Sequence, residues 1–226
     1  MPLLGFILKT LAILGSTGSI GRQTLSVVES LPERFCIVAL AAGGNLEELA
    51  GQIARHRPEV VSVADSSKAA ELETKLRASG VTKVPAIHHG AEGMMAVATH
   101  HAAQIVVSAA VGVVGLPATY AAIKLGRSVA LSNKEVLVAA GELVMAAANH
   151  TGQELLPVDS EHNAVHQCLR GGTRGEVRKL VLTASGGPFR KTPIKALQTV
   201  TVEQALAHPN WKMGNRISID SATMMN

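Results

Sequence analysis

Between residue 11 and about residue 150, short apolar runs alternate with stretches whose apolar positions recur at helical spacing. The runs lie at 11–14, 35–42, 60–63, 105–108 and 128–131, with a weaker one at 83–86. Between them, helical patterns occupy 19–31, 45–56, 66–79, 116–125 and 134–149, and Asn45 and Ser66 suit N-caps. Continuous apolar runs, rather than alternating ones, mark strands covered on both faces. Strand–helix alternation of this kind predicts an α/β fold: a Rossmann-like, doubly wound parallel sheet with its ligand at the strand C-termini.

Past residue 150 the texture changes. The segment 171–175, Gly-Gly-Thr-Arg-Gly, reads as a turn, 179–183 as a strand, and 184–192 is broken by glycine and proline. Thr201-Val202-Glu203-Gln204 has the form of a capping box before a short helix ending near His208. The expected division is therefore 1–150, a dinucleotide-binding domain, and 151–226, a truncated α+β catalytic domain whose last residues enter a helix.

Composition narrows the function classes. The 226 residues are 47% hydrophobic but only 2% aromatic, so Ala, Val, Leu and Ile must fill the core. A net charge of +4, with Lys and Arg scattered, shows no basic run of the kind that grips nucleic acid. Small anionic ligands fit better. Cys36 and Cys168 make no disulfide framework and read as core thiols of a reducing compartment. No apolar stretch is long enough to span a bilayer or serve as a signal peptide, so a cytoplasmic protein without membrane contact is expected.

Two stretches carry chemistry. Leu11-Ala12-Ile13-Leu14-Gly15-Ser16-Thr17-Gly18-Ser19-Ile20-Gly21 runs a strand into a glycine turn that opens a helix. Glycines let backbone approach a pyrophosphate, whose charge then rests on the helix N-terminus. The spacing is G-x-x-G-x-x-G rather than G-x-G-x-x-G. Rossmann domains that bind NAD usually place an acid after the second strand. Here 35–42 ends in Gly43-Gly44-Asn45, which favours NADP. The second stretch, 157–167, holds Asp159 and Glu161 around Ser160 where an apolar run meets a helix at 161–169. Two carboxylates so placed either answer the helix dipole or converge on a hard cation, Mg²⁺ or Mn²⁺.

These blocks, with Leu131-Ser132-Asn133-Lys134-Glu135 and the segments 182–190, 208–214 and 219–226, closely resemble the 1-deoxy-D-xylulose 5-phosphate reductoisomerases. These are NADPH- and metal-dependent enzymes of non-mevalonate isoprenoid synthesis that yield 2-C-methyl-D-erythritol 4-phosphate. The resemblance implies that Thr17, Gly18, Ser19 and Ile20 hold the cofactor phosphates and that Gly43 and Asn45 approach the adenosine ribose. Gly44 stands where the family often has a lysine for the 2′-phosphate. Asn133 and Glu135 would flank the nicotinamide, with Gly214 also on the cofactor. Lys134 would reach the substrate and stabilise developing negative charge. Asp159 and Glu161 would bind the metal; Ser160, Ser185, Ser221 and Asn226 would bind the phosphorylated sugar. His208, Trp211 and Met213 would belong to a lid over the substrate, and the glycine-flanked segment 186–215 is expected to be mobile or partly disordered without substrate, apart from the short helix near 201–207.

In the family a lysine that holds the substrate phosphate and a glutamate that completes the metal site follow the segment matching 224–226. The implied expectation is that these 226 residues bind cofactor without turnover, within a complete protein that is a homodimer. Two rivals remain: a non-catalytic NADP-binding module, and a zinc hydrolase using Glu161, His162 and His166, the two histidines standing one helical turn apart. His88-His89 and His100-His101 read as solvent-facing pairs.

Overall fold

A computed structural model describes residues 8–81, 83–212, 214–220 and 222. The chain forms two compact units that part at Asp159/Ser160.

The first unit alternates strand and helix throughout: β1 Lys9–Leu14, α1 Ser19–Ser30, β2 Phe35–Ala41, α2 Leu46–His56, β3 Val60–Val63, α3 Ser66–Ala78, β4 Ala86–His89, α4 Gly90–Ala98, β5 Ile105–Ser108, α5 Leu116–Lys124, β6 Ser128–Leu131, α6 Glu135–Thr151 and β7 Leu155–Pro157. All neighbouring strands pair in parallel, in the order β4-β3-β2-β1-β5-β6-β7. Strand order reverses between β1 and β5. The crevice at their C-terminal ends is where a doubly wound sheet takes its ligand.

Alternation along β1 sends Leu11 and Ile13 to one face and Ala12 and Leu14 to the other. Leu25 and Val28 of α1, Leu46, Leu49 and Ile53 of α2, and Leu72 and Leu76 of α3 cover the first face. Small side chains pack the second face: Ala98 of α4, Ala118 and Ala122 of α5, Ala148 of α6. A bulge shifts the register so that Leu11 pairs with Ile37 but Ala12 with Ala39. Val38 is the extra residue, and it joins Ala39 on the second face.

Several expectations shift. The run 154–157 contributes β7 to the sheet, so the compact units divide later than residue 150. β4 occupies Ala86–His89 rather than 83–86, which puts His88 and His89 in a strand. α4 follows directly, with Gly93 where a Cβ would come within 2.3 Å of Ser62 Oγ. His100 is not solvent-facing: it is only 8% exposed, and its Nε2 lies 3.4 Å from Glu59 Oε2.

The second unit contains α7 Ser160–Leu169, 3₁₀ turns at Arg174–Glu176 and Ile194–Thr199, α8 Val202–Leu206 and α9 Asn215–Asp220. The Thr201–Gln204 capping box forms as predicted: each residue's backbone N–H donates to the other's side-chain oxygen, at 2.9 and 3.3 Å. The strand expected at 179–183 does not form. Leu180, Val181 and Leu182 are exposed, and among the described residues no strand pairs with them. A lone strand leaves its backbone groups unpaired and is not stable. Cys168 is exposed on α7 rather than a core thiol, whereas Cys36 is half-buried in β2.

Candidate functional site

The glycine turn is built by close approach. Gly15 has φ +90°, and a Cβ there would lie 2.5 Å from Ala109 O, in the loop after β5. A Cβ on Gly21 would come within 2.5 Å of Ser16 backbone atoms, so the first turn of α1 and the loop before it pack with no room for a methyl group. Gly15 N–H and Ser16 N–H both donate to Ala41 O, at 2.8 and 2.9 Å, fastening the turn to the end of β2. Gly18 is the N-cap of α1 and supplies no side-chain cap; no acid occupies the first turn. First-turn N–H groups at Ser19, Ile20 and Gly21 lack helical acceptors and are available to an anion.

After β2, Gly43 and Gly44 are exposed, and a Cβ on either would meet nothing within 4 Å. Asn45 caps α2, its side-chain oxygen accepting from Glu48 N–H at 3.2 Å.

The third edge position follows β6. Asn133 is only 5% exposed. Its Nδ2 donates to Ala110 O and Gly112 O, and its Oδ1 accepts from Glu135 N–H at 3.2 Å. The N-cap of α6 is Lys134, one residue later than a simple Asn133 cap would place it. Asn133 thus pins the 110–112 loop. Lys134 Nζ reaches Asp159 Oδ2 at 3.5 Å, with both side chains largely buried. The structure therefore brings the proposed substrate lysine to one of the two proposed metal ligands.

In the second unit, Glu161 lies in the first turn of α7 and accepts from Ser160 Oγ at 2.6 Å. His208 Nδ1 accepts from Asn210 N–H and Trp211 N–H, both at 3.2 Å. That assigns the ring proton to Nε2, which faces Ser185 Oγ at 2.9 Å. Trp211 stacks on the imidazole with ring centroids 4.8 Å apart. Gly186 and Gly187 both take positive φ, and a Cβ on Gly187 would lie 2.6 Å from Ala222 Cβ. Gly214 offers its carbonyl to Ser218 at the start of α9. Ser185 and His208 thus meet, whereas Met213, Ser221 and Asn226 lie outside the described residues.

Residues 11–141 match the sequence profile of 1-deoxy-D-xylulose 5-phosphate reductoisomerase, and residues 155–226 match the profile of that enzyme's C-terminal domain. The chain belongs to the 1-deoxy-D-xylulose 5-phosphate reductoisomerase family. It is 50% identical over 220 residues to the reductoisomerase of Thermosynechococcus vestitus, covering 97% of this chain and 53% of that one. It is 55% identical to the enzyme of Anaeromyxobacter sp. strain K, again over 97% of this chain and 55% of the relative. The chain thus spans about half the length of these curated relatives.

Among solved structures, a reductoisomerase complexed with NADPH, fosmidomycin and magnesium superposes with TM-score 0.86 at 41% identity, covering 96% of this chain and 55% of that one. The Zymomonas mobilis enzyme in complex with NADPH gives 0.85 at 42%, over 97% and 55%. The family does not favour the zinc hydrolase. Among the described residues no three His, Cys, Asp or Glu side chains converge as a metal site.

One site feature escaped the sequence reading. Gln52 is fully buried on α2, and its Nε2 donates to Ser16 O at 3.1 Å. A polar residue on the apolar stripe Leu46-Leu49-Gln52-Ile53 was the available signal.

Proposed function

We propose that this chain contributes the cofactor site and part of the catalytic site of an NADPH-dependent reductoisomerase. The reaction is conversion of 1-deoxy-D-xylulose 5-phosphate to 2-C-methyl-D-erythritol 4-phosphate. The observation that carries the reading lies on one edge of the sheet. The glycine turn after β1, Gly43–Asn45 after β2, and Lys134 with Asp159 after β6 and β7 all follow strand C-termini.

Thr17, Gly18, Ser19 and Ile20 would hold the pyrophosphate, and Gly43 and Asn45 the ribose side. Asn133 would set the nicotinamide end through the 110–112 loop, with Glu135 and Gly214 as further cofactor contacts. Asp159 and Glu161 suit Mg²⁺ or Mn²⁺, because both are hard oxygen donors and Lys134 already balances one of them. The bound metal would act as Lewis acid on the substrate's oxygens. Lys134 would place a compact cation beside developing negative charge, and Ser160 would orient the substrate. Ser185, hydrogen-bonded to His208, would bind the substrate phosphate, with Ser221 and Asn226 as further phosphate ligands.

The complete protein is proposed to be a cytoplasmic homodimer that contacts neither membrane nor nucleic acid. In the described residues no helix is long and apolar enough to cross a membrane. The test is NADPH oxidation on addition of 1-deoxy-D-xylulose 5-phosphate and Mn²⁺, run on the 226 residues and on a chain of the relatives' full length. Turnover by the longer chain, with NADPH binding but no turnover by the 226 residues, is the expected result. No turnover by either would refute the assigned reaction.

A further inference from the structure

We infer that Gln52 is a positioning residue that holds the phosphate-binding turn in register with the ribose-side turn of the cofactor site. The inference rests on the cofactor reading above. Gln52 has no solvent exposure, and its side-chain amide spans two elements. One Nε2 hydrogen points at Ser16 O (3.1 Å), the carbonyl at the base of the glycine turn. The other points at Glu48 Oε1 (3.0 Å). Glu48 N–H in turn donates to Asn45 Oδ1 at 3.2 Å. A continuous hydrogen-bonded relay therefore runs from Asn45, through Glu48 and Gln52, to Ser16.

The orientation of the amide is fixed by chemistry. Flipping it would aim Oε1 at a carbonyl and a carboxylate, three acceptors with no proton between them. As it stands, Oε1 is buried with no partner among the described residues, and so is Ser16 Oγ. A leucine would fill this place on the apolar stripe without an unpaired oxygen. A glutamine that burdens the core in this way is better explained by what its two donors hold than by packing. What they hold is the direction of the Ser16 peptide. With that carbonyl drawn inward to Gln52, and Gly15 O taken by Gly18 N–H at 3.1 Å, neither carbonyl competes with the anion, and the N–H groups of Ser19, Ile20 and Gly21 in the first turn of α1 are left to face it.

Gln52→Leu keeps the volume and removes both donors. It is expected to bind NADPH about tenfold more weakly, the worth of one or two well-placed hydrogen bonds, while its melting temperature is unchanged or raised. Gln52→Glu supplies a readout that packing alone would not move. Its carboxylate repels Ser16 O and Glu48, but burial raises a carboxyl pKa, and the protonated acid again donates to Ser16 O. The ratio of its dissociation constant to that of the parent, measured by NADPH fluorescence, should fall toward one as pH is lowered from 8 to 5.5.

Glu48→Ala, at a partly exposed position, cuts the relay without disturbing the core and should weaken NADPH about threefold. A parent chain that does not bind NADPH refutes the cofactor reading itself. With a binding parent, the positioning role is overturned if Gln52→Leu binds within about twofold of it. A pH-independent ratio for Gln52→Glu overturns it too. Should neither Gln52 variant fold, Glu48→Ala decides, and unchanged binding there overturns the role.

Discussion

At the scale of single residues, the glycines of the turn are not equivalent. Gly15 combines φ +90° with a Cβ position 2.5 Å from Ala109 O, so it faces both backbone strain and a clash with main chain. Gly15→Ala is expected to cost about 1–3 kcal/mol from strain alone and to lower the melting temperature by several degrees. Gly44→Ala, with open space around its Cβ and φ outside the left-handed region, should melt within about a degree of the parent. The same openness gives Gly44→Lys room to extend an ammonium toward a 2′-phosphate. One charge-assisted hydrogen bond is worth about 1.5–3 kcal/mol, so the preference for NADPH over NADH should rise roughly tenfold or more. Titrating both cofactors by fluorescence checks it; an unchanged ratio would mean that the 2′-phosphate lies elsewhere. The identity of these residues was legible in the sequence because a glycine spacing survives translation into a turn. Their inequality was not, since it depends on Ala109, a residue 94 positions from Gly15 that only the β1–β5 pairing brings near. Gln52 is visible in the sequence only as a polar residue on an apolar stripe; its partner, Ser16 O, is 36 positions away and is not.

At the scale of elements, the histidines at the ends of α2 and α4 make stability depend on pH. Burial holds the His100 imidazole below its usual pKa, more strongly than Glu59 pulls it up; neighbouring His101 and Arg127 push the same way as burial. Burial also lowers His56, against the opposing pull of Glu29, with Arg55 adding to the depression. A histidine whose pKa is lower folded than unfolded takes up its proton first in the unfolded chain. Stability is therefore full above the unfolded value of about 6.5 and falls as pH drops below it. Urea midpoints at pH 7.5 and 5.5 should show the loss, and His56→Gln with His100→Gln should reduce it. A midpoint that moves equally in parent and double variant would assign the acid sensitivity to other groups.

Elements were legible where burial on both faces produced apolar runs, as in β1, β2 and β5. They were illegible where an element's signal depends on a partner. The run 179–183 has strand composition, yet Leu180–Leu182 lie exposed with no pairing strand among the described residues. Conversely α4, Gly90–Ala98, opens at a glycine and has no strong polar face, and its tight seat against Ser62 decides it.

For the whole molecule, the two units differ in what holds them. Every buried hydrophobic side chain among the described residues lies between Leu11 and Ala148, on the two faces of one sheet. The second unit, Ser160 onward, is held instead by caps, turns and short polar contacts such as His208 to Ser185. Conformational entropy opposes folding at about 1–2 kcal/mol per residue, and hydrogen bonds alone do not offset it where the described residues bury no hydrophobic side chain. The proposed cofactor residues also fall mainly in the first unit, with Gly214 the exception. A fragment of residues 1–159 should thus fold cooperatively and bind NADPH within about threefold of the 226-residue chain, Gly214 being worth at most one neutral hydrogen bond. Residues 160–226 alone should give a far-ultraviolet spectrum of a largely unfolded chain. By the same separation, Glu161→Ala in the 226 residues should abolish metal-dependent substrate binding and leave the NADPH dissociation constant unchanged. Asp159→Ala should leave cofactor binding nearly intact as well, at some cost in stability because Lys134 loses its buried partner. The decisive measurement is NADPH titration of the 1–159 fragment. Loss of binding in a fragment that melts cooperatively would show that the second unit supplies essential cofactor contacts, and the division of labour argued from the core would be wrong.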